Sequence, residues 1–175
     1  MTKPAILKRA RADILAMQPY SSARSLLTPD DRDIMLDANE MPFEPLIGSK
    51  GYNRYVPQQP AALINALADF YNVRGEQLLI GRGVDEAIEV LTRLFCTPGG
   101  DNIIVCSPAF PMYEMSAKLN GTATKKVPLD KNMDVDVAAV LQAVDADTKI
   151  VYLCSPNNPL GNSIAEIVVV KLCEA

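Results

Sequence analysis

From Pro60 to the last residue, segments of helical periodicity alternate with short, mostly apolar runs, and this alternation restricts the fold more than any other feature. Leu63, Ala66, Leu67, Phe70 and Tyr71 share one face of an amphipathic helix, with Pro60 in its first turn and Gly75 ending the unit. Leu78–Ile80 reads as a short buried strand stopped by Gly81. A helix follows from about Val84 to Cys96, with Ala87, Ile88, Leu91 and Phe95 inward, broken by Thr97-Pro98-Gly99-Gly100. Next come a strand over Asn102–Cys106, a helix over Pro111–Asn120 with Gly121 as its left-handed cap, and a strand over Thr122–Val127. A helix over Asp134–Val144 turns Val137, Val140, Leu141 and Val144 inward, Lys149–Leu153 is the last strand, and Ile164 onward is helical. Strands that lack polar alternation must be covered on both faces. The fold class is therefore α/β: a mostly parallel sheet flanked by helices.

The first 60 residues read differently. Ile6, Ala10, Ile14 and Met17 mark one side of a basic amphipathic helix over residues 5–17. Pro19, Pro29, Pro42, Pro45, Pro57 and Pro60 then make residues 18–60 an extended arm that cannot form its own core. The expected organisation is a helix and arm over 1–60 and an α/β domain over 61–175. The last helix runs through Val168, Val169 and Leu172 to Ala175 with no glycine, asparagine or proline to end it, so the domain reads as incomplete at its C-terminus.

Composition removes several functions. The sequence has no histidine, which excludes Ser-His and Cys-His catalysis and histidine-ligated metals. A net charge of -4 argues against nucleic acid and anionic membranes as partners. No run of about 18 apolar residues could span a membrane. The basic residues Lys3, Lys8, Arg9 and Arg11 precede no apolar stretch, so they do not form a secretion signal. Cys96, Cys106, Cys154 and Cys173 form no C-x-x-C pair and lie among apolar neighbours, as reduced, buried thiols of a cytoplasmic protein would.

Ligands of open α/β sheets bind where strands lead into helices. Three such junctions stand out. Gly81-Arg82-Gly83-Val84-Asp85-Glu86 opens a helix whose free N–H groups could accept an anion, or it is a plain glycine turn with acids favouring the helix dipole. Ser107-Pro108-Ala109-Phe110 offers an aromatic ring that could stack on a planar ligand or pack in the core. Ser155-Pro156-Asn157-Asn158-Pro159-Leu160-Gly161 offers amides that could donate to a ligand or only shape a turn.

In order and spacing, these junctions resemble the fold-type I pyridoxal-phosphate aminotransferases, and among them the histidinol-phosphate aminotransferase branch. Pro19-Tyr20-Ser21-Ser22-Ala23-Arg24 is similar to P-Y-x-x-A-R, Leu36-Asp37-Ala38-Asn39-Glu40-Met41-Pro42 to L-x-x-N-E-x-P, and Asn53-Arg54-Tyr55 to N-R-Y. Gly81–Glu86 resembles G-x-G-x-D-E, and Asn158-Pro159-Leu160-Gly161 resembles N-P-T-G with leucine for threonine. Glu44 stands where the family's arm often has glycine, and Phe110 where it usually has tyrosine. The resemblance implies the large domain of a pyridoxal-phosphate-dependent transferase and a set of roles. Gly83, Val84 and Asp85 would hold the cofactor phosphate through their backbone, Phe110 would stack on the pyridine ring, and Asn158 would donate to its phenolate oxygen. Tyr55 would reach the phosphate of the other subunit, making the protein a homodimer. Tyr20 and Asn39 would line the substrate pocket. The substrates implied are histidinol phosphate and glutamate with its keto acid 2-oxoglutarate, in histidine biosynthesis.

The family's Schiff-base lysine, pyridinium aspartate and substrate arginine match no position here and are expected beyond residue 175. Lys118 and Lys171 fall on helices, and Lys125 and Lys126 read as solvated charges at a strand edge. Two other readings stay open. One is a nucleotide-binding Rossmann-like module, motivated by Gly81-x-Gly83, although Val105-Cys106-Ser107 lacks the acid such a site places at the next strand's end. The other is a non-catalytic fragment that keeps the fold without the chemistry.

Overall fold

The strand Asn102–Ser107 is buried along almost its whole length, with Ile103, Ile104 and Val105 at 1% exposure or less. The computed structural model describes residues 5–20, 34, 36, 38–48, 51–55 and 59–175. Its helices are α1 (Ala12–Leu15), α2 (Ala61–Tyr71), α3 (Val84–Phe95), α4 (Met112–Leu119), α5 (Val137–Ala143) and α6 (Glu166–Glu174), with 3-10 turns at Ala5–Arg9 and Gly75–Gln77. Its strands are β1 (Asn102–Ser107), β2 (Ala123–Pro128) and β3 (Thr148–Tyr152). They form one parallel sheet in the order β2-β1-β3, with Cys106 level with Val127 and Val105 level with Tyr152.

Because β1 is central, alternate side chains feed two cores. Ile103 and Val105 pack with Ile88 of α3, Ala117 of α4, Cys96 and Tyr152. Ile104 and Cys106 pack on the other face with Val127 and with Val140 of α5, against Leu172 of α6. The chain steps from β1 to β2 over one face and from β2 across to β3 over the other. Right-handed crossovers in opposite directions require that exchange of faces. Thr92, fully buried on α3, donates to the Ile88 carbonyl at 2.8 Å and meets the Tyr152 hydroxyl at 3.1 Å, so a polar pair sits inside the first core.

At the N-terminal edge a polar knot joins the strands. Asp145 accepts from Asn102 Nδ2 at 3.0 Å, from Thr148 Oγ1 at 2.9 Å and from Lys125 Nζ. These bonds, that from Lys125 foremost, hold the Asp145 carboxyl below the ordinary carboxylate range.

The expected 60/61 boundary differs from the observed division. One compact unit is Met1–Met17 with Arg82–Ala175; the other is Gln18–Gly81. The N-terminal segment joins the α/β unit because the Arg11 N–H donates to the Leu94 carbonyl at 2.9 Å and its guanidinium to the Arg93 carbonyl, satisfying the end of α3 and its dipole. The single helix expected over 5–17 is two short pieces, parted where Ala10 is buried.

In the second unit, Leu78–Ile80 is extended but is not a strand of the described sheet. The Ile80 N–H and carbonyl are both taken by the Gln59 side chain, at 2.9 and 3.1 Å, and Leu79 is 75% exposed. Pro60 precedes α2 as its N-cap, and Asn72, at φ 52°, ends the helix in place of Gly75. Gly75 is needed for close approach instead: a Cβ there would lie 3.0 Å from Ile64 Cγ2. In the arm, Glu40 accepts from Arg54 Nη1 at 2.9 Å and from the Tyr55 N–H at 2.6 Å, while Glu44 accepts from the Gly51 N–H at 2.8 Å. The Met35, Asp37, Ser21–Arg24 and Val56-Pro57 positions lie outside the described residues.

Several inward faces are narrower than expected. α3 buries Ile88 and Thr92 but leaves Ala87 and Leu91 exposed, and α5 starts at Val137 because the Asp136 carboxylate caps it through the Ala139 N–H. Of the thiols, Cys96, Cys106 and Cys154 are buried, but Cys173 is exposed at the end of α6, contrary to expectation.

Two stability measurements follow. Ile103→Ala is expected to cost about 3 kcal/mol in urea unfolding, and Leu79→Ala under ~0.5 kcal/mol; equal costs would restore Leu78–Ile80 to the core. A carboxyl with a depressed folded-state pKa stabilises fully above its unfolded value of about 4, and that stability is lost as pH falls. Asp145→Asn should therefore flatten the decline in urea midpoint between about pH 5 and 2. An acid limb identical to the parent's would show that the knot is not its source.

Candidate functional site

The reversal of chain direction about β1 brings the loop after β1 and the loop after β3 together at the C-terminal edge. These loops leave toward opposite faces, one to α4 and one to α6, as at a topological switch point. The Asn157 Nδ2 donates to the Pro108 carbonyl at 3.0 Å and joins the two loops directly. The Asn158 N–H donates to Cys154 Sγ at 3.3 Å, and the Asn158 carboxamide is exposed.

Phe110 is half-buried on the α3/α4 side, edge-on to Tyr113 with ring centroids 5.8 Å apart. Tyr113 stacks on Tyr152 at 4.5 Å. The Tyr152 hydroxyl bonds to Thr92 and to the Ile88 carbonyl at 3.3 Å, which carries the chain of contacts into the second turn of α3. Val84 precedes Ile88 by one turn, about 6 Å along the axis.

Gly83 caps α3 at φ 94° and ψ -178°, a region open essentially to glycine alone, and nothing lies within 4 Å of where its Cβ would stand. The Val84 and Asp85 N–H groups have no protein partner among the described residues, whereas Glu86 reaches back to accept from the Arg82 N–H at 2.5 Å. The turn thus presents two free donors at the positive end of a 12-residue helix, with room above the glycine for an anion. It is exposed and lines none of the described cavities. A cavity of about 170 Å3 lined by Cys106, Cys154, Asn157 and Asn162 lies on the α5/α6 side, away from the Gly83 turn, and is near the size that holds one benzene ring.

Apart from Arg82, Asp85 and Glu86 of the Gly83 turn, the site is built of neutral groups and dipoles. Burial, then the bond to Cys154, pushes Tyr113 up to about 12. Burial also raises Cys106, and takes Cys96 up to about 11, so neither thiol supplies a nucleophilic thiolate at neutral pH. Lys125, Lys126 and Lys149 pair with Asp145, Glu114 and Asp101, and Lys126 stays exposed, as a solvated charge is expected to be. No group of three or more candidate metal ligands occurs among the described residues.

Of the positions singled out in the sequence, Phe110 and Asn158 lie on the two loops that Asn157 joins, and Gly83, Val84 and Asp85 open α3. Tyr20, Asn39 and Tyr55 belong to the second unit, where all three are exposed. Sequence reasoning passed over Asn157, Tyr113, Tyr152 and Thr92. Asn157 stood beside Asn158 in a run that reads as a turn, and only its burial distinguishes it.

The aminotransferase class I and II family matches residues 29–175. The chain belongs to that family. It is similar to histidinol-phosphate aminotransferase from Sodalis glossinidius (strain morsitans), 45% identical over 89% of this chain and 43% of that protein. Among solved structures it resembles tyrosine aminotransferase from Leishmania infantum, with a TM-score of 0.63 at 28% identity over 71% of this chain and 34% of that one. It shares the fold of histidinol-phosphate aminotransferase from Sinorhizobium meliloti in complex with pyridoxal-5'-phosphate, with a TM-score of 0.62 at 23% identity over 69% of this chain and 33% of that one. This aminotransferase-family chain spans about half the length of the curated relatives it matches. No helix among its described residues is long and apolar enough to cross a membrane. The Rossmann-like alternative is not favoured.

Gly83→Val in the aminotransferase-family turn is expected to cost ~1–3 kcal/mol through backbone strain and to weaken inorganic phosphate binding. Urea unfolding and a phosphorus NMR titration check the two effects. Parent-like stability together with parent-like affinity would remove the anion site from this turn.

Proposed function

We propose that this chain forms part of a pyridoxal-phosphate-dependent aminotransferase acting on histidinol phosphate and 2-oxoglutarate in histidine biosynthesis. The observation that carries the reading is the Gly83 turn: two unpartnered N–H groups at a helix N-terminus, tied through Tyr152 to the edge that bears Phe110 and Asn158. The donor set fits a phosphate dianion, which needs backbone N–H groups and a positive dipole more than a cation. The substrate class rests on the relatives that bear the histidinol-phosphate name, similar along 88% or more of this chain.

In this reading Gly83, Val84 and Asp85 bind the cofactor phosphate through their backbone. Phe110 stacks on the pyridine ring, braced at its edge by Tyr113. The Asn158 Nδ2 donates to the ring's phenolate oxygen and favours its ionised form. Pyridoxal phosphate, when bound, supplies the electron sink for amino transfer. Tyr20 and Asn39 line the substrate pocket, and Tyr55, its N–H held by Glu40, reaches the phosphate of the second subunit of a homodimer. Phe43, Leu46 and Ile47, exposed in the arm, suit such a subunit boundary. The buried, unpaired thiols suit the cytoplasm.

Amino transfer also needs an amine over the ring to move the substrate proton. The described lysines are helical, ion-paired or, for Lys131, in the turn after β2, so none matches that role. The 175-residue chain alone is expected to show no turnover of histidinol phosphate in a coupled glutamate assay, while binding pyridoxal phosphate in preference to NAD. Steady turnover would place the active site elsewhere, and preference for NAD would overturn the aminotransferase reading.

A further inference from the structure

The Asn157 side chain is committed at both ends. It is only 9% exposed. Its Nδ2 donates to the Pro108 carbonyl at 3.0 Å, two residues before Phe110. Its Oδ1 accepts from the Leu160 N–H at 3.1 Å, two residues after Asn158. Its backbone is used as fully, with the N–H donating to the Asn162 carbonyl and the carbonyl accepting from the Gly161 N–H, both at 2.7 Å. Both carboxamide atoms of Asn157 are thus engaged by protein partners, and they span the two loops that would read a ligand.

We propose that Asn157 is a positioning residue whose buried carboxamide sets the spacing between the ring-stacking Phe110 and the ring-oxygen donor Asn158. The inference rests on the cofactor reading above. A carboxamide is required because the bridge needs a donor toward Pro108 and an acceptor toward Leu160 in one short side chain. A carboxylate keeps the acceptor and sets oxygen against oxygen at Pro108. The phosphate-binding turn belongs to α3, and none of Asn157's hydrogen bonds reaches it. Loss of the bridge should thus loosen the grip on the ring and leave the grip on phosphate alone.

The test titrates the 175-residue chain and Asn157→Asp with pyridoxamine 5'-phosphate, which has no aldehyde to react with surface lysines, and with inorganic phosphate. The parent is expected to bind pyridoxamine phosphate more tightly than phosphate, with a change in ring fluorescence. Asn157→Asp should weaken pyridoxamine phosphate about tenfold, the loss expected of one buried hydrogen bond, and shift phosphate by less than about twofold. Equal weakening of both ligands would make Asn157 merely structural, and no weakening would remove the bridge; either overturns this inference and leaves the cofactor reading intact. A parent with no preference for pyridoxamine phosphate overturns the cofactor reading, and the inference with it. Should Asn157→Asp lose the parent's circular dichroism, hydrogen exchange of the parent decides. The Leu160 amide should slow further with pyridoxamine phosphate but not with phosphate, and an equal response to both would overturn the proposal.

Discussion

Burial of β1 on both faces is the constraint from which the rest of the α/β unit follows. A strand carrying Ile103, Ile104, Val105 and Cys106 in succession leaves no face for solvent, so helices must cover both sides. α3 and α4 take one side, α5 and α6 the other. With β2 and β3 flanking β1 in parallel, the chain has to reverse its direction of travel about the central strand. The reversal opens the C-terminal edge between β1 and β3, where the two conspicuous loops meet. The site's location is thus a consequence of how a doubly apolar strand is covered.

Polar groups inside this apolar frame give it a single alignment. Thr92 and Tyr152 bond across the first core, tying the second turn of α3 to the end of β3. Asn157 bridges the loops at one edge, and Asp145 gathers the beginnings of β1, β2 and β3 at the other. Hydrophobic burial is non-directional, whereas each of these bonds has one geometry and is costly to leave unmade inside the protein. Together they tie the strands at both ends.

The same arrangement explains the electrostatic character of the edge. Tyr113 and Cys106 stay neutral through burial, and the lysines of β2 and β3 are ion-paired. For an anion the turn offers the free N–H groups that open α3, next to the exposed Arg82. A glycine at φ 94° is what turns them outward.

Much of this was legible in the residues. The apolar runs at 102–106, 122–127 and 149–153 became β1, β2 and β3 within a residue or so, and Gly121 took its left-handed cap, because these depend on local pattern and backbone freedom. Phe110 and Asn158 follow β1 and β3, as the pattern of apolar runs implied, whereas the Gly83 turn opens α3 without a strand of the described sheet before it. Leu78–Ile80 was misread as a strand because an apolar run specifies extension but not a partner; the Gln59 side chain, distant in sequence, took its hydrogen bonds. Asn72 ended α2 in place of Gly75 because Asn also tolerates the left-handed region, and the close approach of Ile64 gave Gly75 its different use. The roles of Asn157 and Thr92 were hidden for one reason. A polar side chain declares its partner only when folding removes water from it, and for these two the partners are Pro108 and Tyr152, brought near only by tertiary structure.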